Sequence, residues 1–138
     1  MRSRLILLTA LAAAAPGGAN AAQVPSYRQL VHCAATSQFL AYLQELTGGA
    51  AGTGADIERL QRQSAALMAV AEIASGSDAG AVLADVAADF PVIDALVRDP
   101  ASRDRFLNDT VPGCNTLGAA AVRAVDAPDE PAGLPAVT

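Results

Sequence analysis

Few residues in this 138-residue chain can do chemistry. There are two cysteines, Cys33 and Cys114, one histidine, His32, and fourteen carboxylates. The cysteines give the strongest signal. Both lie beyond an N-terminal export signal, and a small exported domain oxidises such a pair. Two cysteines allow one intramolecular connectivity, Cys33 to Cys114. They are not spaced Cys-x-x-Cys, so the pair reads as a structural staple and not as a redox couple.

His32 precedes Cys33 directly, an order opposite to the Cys-x-x-Cys-His of covalent haem attachment. A haem held by His32 and Met68 across a bundle is a weaker reading than the plain one. Met68 falls at core spacing, and His32 is expected to point outward beside the cysteine. Zinc needs three or four ligands, which one histidine and an oxidised cysteine pair do not supply. His32 with Ser37 or Ser64 lacks a Gly-x-Ser-x-Gly elbow. The glycine-rich stretch 47–55 has no lysine to hold phosphate. Asp85, Asp89, Asp94 and Asp99 recur every four or five residues. They read as a solvated helix face, without the Asp-x-Asp-x-Asp-Gly pattern of a calcium loop. Asn108-Asp109-Thr110 matches a glycosylation sequon but falls on an expected helix. No catalytic residue, cofactor site or metal site is expected.

The N-terminus reads as a signal peptide over residues 1–21. Arg2 and Arg4 precede an apolar run from Leu5 to Ala15, which Pro16, Gly17 and Gly18 end. Ala19-Asn20-Ala21 then places small residues where a signal peptidase reads them. Cleavage is expected after Ala21, leaving Ala22 first; the bond after Ala22 is the alternative. The apolar run is too short to span a bilayer, which takes roughly 20 residues. The destination is the periplasm or the exterior. The nine basic residues are all arginine, and all fourteen acids lie beyond the signal. The mature chain is therefore acidic, with no basic cluster for nucleic acid or an anionic membrane surface.

These residues need elements to position them, and the periodicity is helical throughout, giving an all-α class with four to five short helices and one disulfide. Helix 1 starts at a capping box, Ser26-Tyr27-Arg28-Gln29, and carries Val31, Ala35, Phe39, Tyr42 and Leu46 on one face. It holds Tyr27, Phe39 and Tyr42, out of two tyrosines and three phenylalanines in the chain, and is expected to be the central packing element. Helix 2 runs over about residues 56–75 with Leu60, Ser64, Leu67 and Ala71 inward, ended by Gly76. Helix 3 follows a cap at Ser77 or Asp78. Its stripe of Val82, Val86, Phe90 and Ile93 passes through Pro91, so a kink is expected in preference to a break. Asp99-Pro100 starts helix 4, with Phe106 and Leu107 inward. Pro112-Gly113 reads as a turn before a last helix over 115–125 that uses Leu117, Ala121 and Val125. The domain is expected to cover 22–125, and the proline-rich residues 126–138 to form a disordered tail.

Alanine buries little area per residue, so the core is expected to be thin and the staple correspondingly important. The expected role is non-catalytic: structural, or binding an unknown protein or a small apolar ligand. A short, exported, helical chain with one disulfide is similar in architecture to the small periplasmic acid-stress chaperones, although none of their motifs is matched. That similarity implies an alternative, a chaperone whose negative charge is erased by acid. An enzyme of unknown class is a further alternative.

Overall fold

A computed structural model describes residues 24–48 and 54–127. The expected signal segment with its Ala21 and Ala22 cleavage point, the middle of the glycine-rich linker and the chain after 127 lie outside the described residues. Those residues form α1 (Tyr27–Leu46), α2 (Gly54–Ser75), α3 (Ala79–Arg98), α4 (Pro100–Arg105) and α5 (Val111–Asp126). A π-helical stretch, Phe106–Thr110, joins α4 to α5. No strand occurs among the described residues, and the protein is an all-α bundle of short helices.

The helix ends follow local chemistry. The Ser26 hydroxyl accepts from the Gln29 amide at 3.1 Å, and the Gln29 side chain accepts from the Ser26 amide at 2.8 Å. Two amides that α1 itself cannot satisfy are thereby paired. Asp78 caps α3 through the Ala81 amide, and Asp99 caps α4 through the Ser102 amide ahead of Pro100. Gly76 ends α2 at a φ of +70°, a conformation that a side chain disfavours.

The middle of α1 is the centre of the bundle. Every residue from Leu30 to Ser37 is buried except His32, which is partly exposed. A helix closed in on all sides has neighbours on all sides. Ala34, Ala35 and Ser37 are small enough to let those neighbours approach closely. Leu67 and Ala71 of α2, Val82, Val86 and Ile93 of α3, Phe106, and Leu117 and Ala121 of α5 complete the core. At one contact between α2 and α5 a side chain has no room. A β-carbon on Gly118 would stand 2.9 Å from that of Gln63. The apolar stripe of α1 is not covered to its end, and Tyr42 and Leu46 are exposed.

The structure corrects three sequence expectations here. Pro112-Gly113 is not a turn, because the chain stays helical from Pro100 to Asp126. In a regular α-helix the Pro112 ring would press on the carbonyl of Asn108. The π-helical stretch ends just before it, with the Val111 amide reaching back to the Phe106 carbonyl. That puts Pro112 in the first turn of α5, where a missing amide costs no hydrogen bond. The wider turn also separates two neighbours expected to face inward: Phe106 is buried, whereas Leu107 is exposed. At the far end of α5, Val125 is exposed too. Proline does less at position 91, where α3 continues unbroken from Ala79 to Arg98. Ala87 and Pro91 both lie on the exposed side of α3, where a carbonyl without a donor meets water.

Cys33 and Cys114 form a disulfide, with Cα atoms 4.9 Å apart and a sequence separation of 81. It fastens the first turn of α5 to the middle of α1. For a loop of this length the chain-entropy model gives about 4.5 kcal/mol. Reduction, or the double substitution of Cys33 and Cys114 by alanine, is therefore expected to lower the melting temperature markedly and to cost several kcal/mol in urea unfolding. A melt unchanged by reduction would show that the core holds α5 without the bond.

Candidate functional site

The residues with chemical potential gather along one seam, where α1 and α3 run side by side in the same direction. At its N-terminal end the seam is polar. The Tyr27 hydroxyl donates to Asp85 Oδ2 at 2.6 Å. One turn further on, Asp89 accepts from His32 Nδ1 at 2.6 Å on Oδ2 and from Arg28 Nη2 at 3.4 Å on Oδ1. Arg28 and His32 are four residues apart on α1 and so share a face. Asp85 and Asp89 have the same spacing on α3.

Asp89 is the unexpected member. Its side chain is 1 % exposed, so it does not belong to the solvated face assigned to it from the sequence. The buried line of α3 is Val82, Val86, Asp89 and Ile93, with steps of four, three and four. Phe90, chosen for that stripe on sequence grounds, is only partly buried beside it. The step of three from Val86 to Asp89 was the available signal. A carboxylate removed from water needs compensation, and Arg28 and His32 provide it from α1.

An ionised carboxylate only accepts hydrogen bonds, so Nδ1 of His32 carries the proton that faces Asp89. Such a pairing orients an imidazole and can serve a general base. A nucleophile would be needed on the other ring nitrogen. Ser64, one of the two serines weighed from the sequence, donates its hydroxyl to the Ala34 carbonyl at 3.0 Å. Ser37 is buried on α1, and no hydrogen bond joins it to His32 among the described residues. Met68, the other conceivable haem ligand, is contacted by the Gln38 amide at 4.0 Å. The structure thus joins His32 to Asp89 and brings it to neither the serines nor Met68. No group of three or more His, Cys, Asp or Glu side chains among the described residues is placed to hold a metal ion. The ladder ties α3 to α1.

Further along, the same seam opens into an apolar groove of about 490 Å³, lined by Gln38, Phe39, Tyr42, Phe90, Pro91 and Asp94. Three of the chain's few aromatic side chains converge there. Tyr42 and Gln38 also border a second, smaller hollow of about 290 Å³ with Ala41, Glu45 and Gln61. Asp94 holds the Arg98 guanidinium at 2.7 Å. Sequence reasoning did not find this groove, because it placed Phe39, Tyr42 and Phe90 in the interior. Tyr42 is instead 56 % exposed.

Comparison with protein-family models, with curated proteins and with solved structures finds no match in any of the three. The functional reading therefore rests on this chain's own geometry.

Two measurements test the ladder. His32→Ala leaves the buried Asp89 carboxylate with only the exposed Arg28. The expected loss in urea unfolding is about 2 kcal/mol, below the usual cost of a broken buried pair because His32 is itself partly exposed. Adding Asp89→Asn should recover part of that loss, since a neutral amide needs no counter-charge; no recovery would place the cost in lost packing. The second concerns Tyr27, whose phenol the Asp85 hydrogen bond holds above its ordinary value of 10.0. A raised acid favours its protonated form in the folded state. Its contribution to stability is complete below about pH 10 and is lost as pH rises through the raised value. In a Tyr42→Phe background, absorbance titration should show Tyr27 ionising late, and Asp85→Ala should abolish the delay. A delay that survived would belong to some other group.

Proposed function

We propose that this protein is an exported, non-catalytic binding module that takes a small apolar ligand into the groove between α1 and α3. One observation carries the reading: Phe39, Tyr42 and Phe90 line an open groove in a chain that has few aromatics to place. Binding sites for small molecules are concave and mostly apolar, with a few polar groups that fix orientation. Gln38 and Asp94 are those groups here. Export is supported by the expected signal segment and by the disulfide, a bond at home in oxidising compartments. Among the described residues no helix is long and apolar enough to cross a membrane. The polar ladder and the disulfide keep α1 rigid, so the groove is largely formed before a ligand arrives.

Nile red, a neutral apolar dye, tests this reading. The oxidised full chain should bind it saturably at one site. Tyr42→Ala should weaken that binding by about tenfold, the worth of one aromatic contact in such a site. Ile73→Ala, an equally simple truncation of an exposed apolar side chain on α2, should leave it unchanged. If the two variants behave alike, the dye is binding elsewhere and the groove is not the site.

A further inference from the structure

The aromatic groove is not neutral. Asp94 is the charged residue in its lining. Its Oδ2 holds Arg98 through Nε at 2.7 Å, and among the described residues no hydrogen bond is made to its Oδ1. Tyr42 lines both this groove and the smaller hollow, which it shares with Glu45, whose Oε1 accepts from Gln61 Nε2 at 3.3 Å. Tyr42 thus lines one hollow that carries Asp94 and another that carries Glu45, with Arg98 as the nearby cation, 78 % exposed and directed onto Asp94. The whole chain carries a net charge of −5, so its field adds to the local one.

Aromatic faces and carboxylates select the same kind of ligand. The face of an aromatic ring is electronegative and attracts a cation placed over it, most strongly where water is excluded. A weakly hydrated organic cation loses little on leaving water and also has apolar surface to bury. A compact, strongly hydrated metal ion has neither property. An anion would meet Asp94 and find no basic side chain in the lining.

Resting on the reading of the groove as a binding site, we propose that its ligand is an organic cation with an apolar body, of the aromatic or alkyl quaternary ammonium class. The apolar body lies against Phe39, Phe90 and Pro91. The ammonium group lies at the Tyr42 and Asp94 end, where ring face and carboxylate both favour it. No new covalent bond is involved.

Three probes of similar shape separate the possibilities: benzyltrimethylammonium, its uncharged carbon isostere neopentylbenzene, and benzenesulfonate. Each is titrated into the oxidised full chain and followed by NMR shifts of the Phe39, Tyr42 and Phe90 rings. The cation is expected to bind about tenfold more tightly than the isostere, the upper part of the range for a cation over an aromatic face beside a carboxylate. That advantage should shrink severalfold in Tyr42→Leu, which keeps apolar bulk but removes the ring, and in Asp94→Asn. Circular dichroism is expected to find both variants folded, since both altered side chains are about half exposed. Equal binding of cation and isostere would overturn the cation proposal and leave the apolar groove standing. Tighter binding of benzenesulfonate would overturn it as well. Shifts from none of the three probes would overturn both this proposal and the binding-module reading.

Discussion

Three consecutive residues of α1 tie it to every other long helix of the bundle. His32 reaches Asp89 on α3, Cys33 is bonded to Cys114 on α5, and the carbonyl of Ala34 accepts the Ser64 hydroxyl of α2. Successive side chains on a helix point about 100° apart, so one turn can address three neighbours only if it sits in their middle. The near-complete burial of Leu30 to Ser37 is the same fact expressed as packing. The three ties differ in kind: a hydrogen bond to a buried carboxylate, a covalent bond and a side-chain hydrogen bond to a backbone carbonyl. Seven of the nineteen buried apolar residues among the described ones are alanine, which adds little apolar area, and these directed links fix what the apolar contacts alone leave loosely specified.

The α1–α3 seam divides its labour along its length. Its N-terminal end is closed by hydrogen bonds from Tyr27, Arg28 and His32 to two carboxylates one turn apart. Its other end is open and lined by aromatic rings. Buried polar pairs contribute modestly to stability but constrain how two helices can be aligned. Sliding α3 by one turn would bring Asp85 to the place of Asp89 and leave a carboxylate in the core without its partners. The ladder thus sets the register in which Phe39 and Tyr42 stand opposite Phe90 and Pro91. Local rigidity at one end creates the concavity at the other.

The sequence made the helix ends legible because caps are local. Ser26 with Gln29, Asp78, Asp99 before Pro100, and Gly76 each act within three or four residues, and all behave as their types require. The disulfide was legible because two cysteines leave one choice. Pro112 was not, since whether a proline stops a helix or opens one depends on the turn before it, and a π-helical turn leaves no mark in composition. Asp89 was hidden by an ambiguity of periodicity. Stripes through Val86 can pass to Asp89 or to Phe90, and polarity argued for the wrong one. The groove was beyond reach for another reason: its walls are some fifty residues apart in sequence, and only the alignment of α1 with α3 brings them together.

The disulfide also imposes an order in time. Cys33 is synthesised 81 residues ahead of Cys114, so the centre of the bundle carries an unsatisfied thiol until almost all of the helical chain exists. A molecule cut short before α5 lacks Cys114 and can never close that bond. Its Cys33 thiol, left without its partner, can still exchange with another thiol or disulfide that reaches it. Closure of Cys33 onto Cys114 thus doubles as a chemical certificate that the last helix has been made and has docked, and a quality-control system that reads thiols could tell a finished copy from an unfinished one by that atom alone.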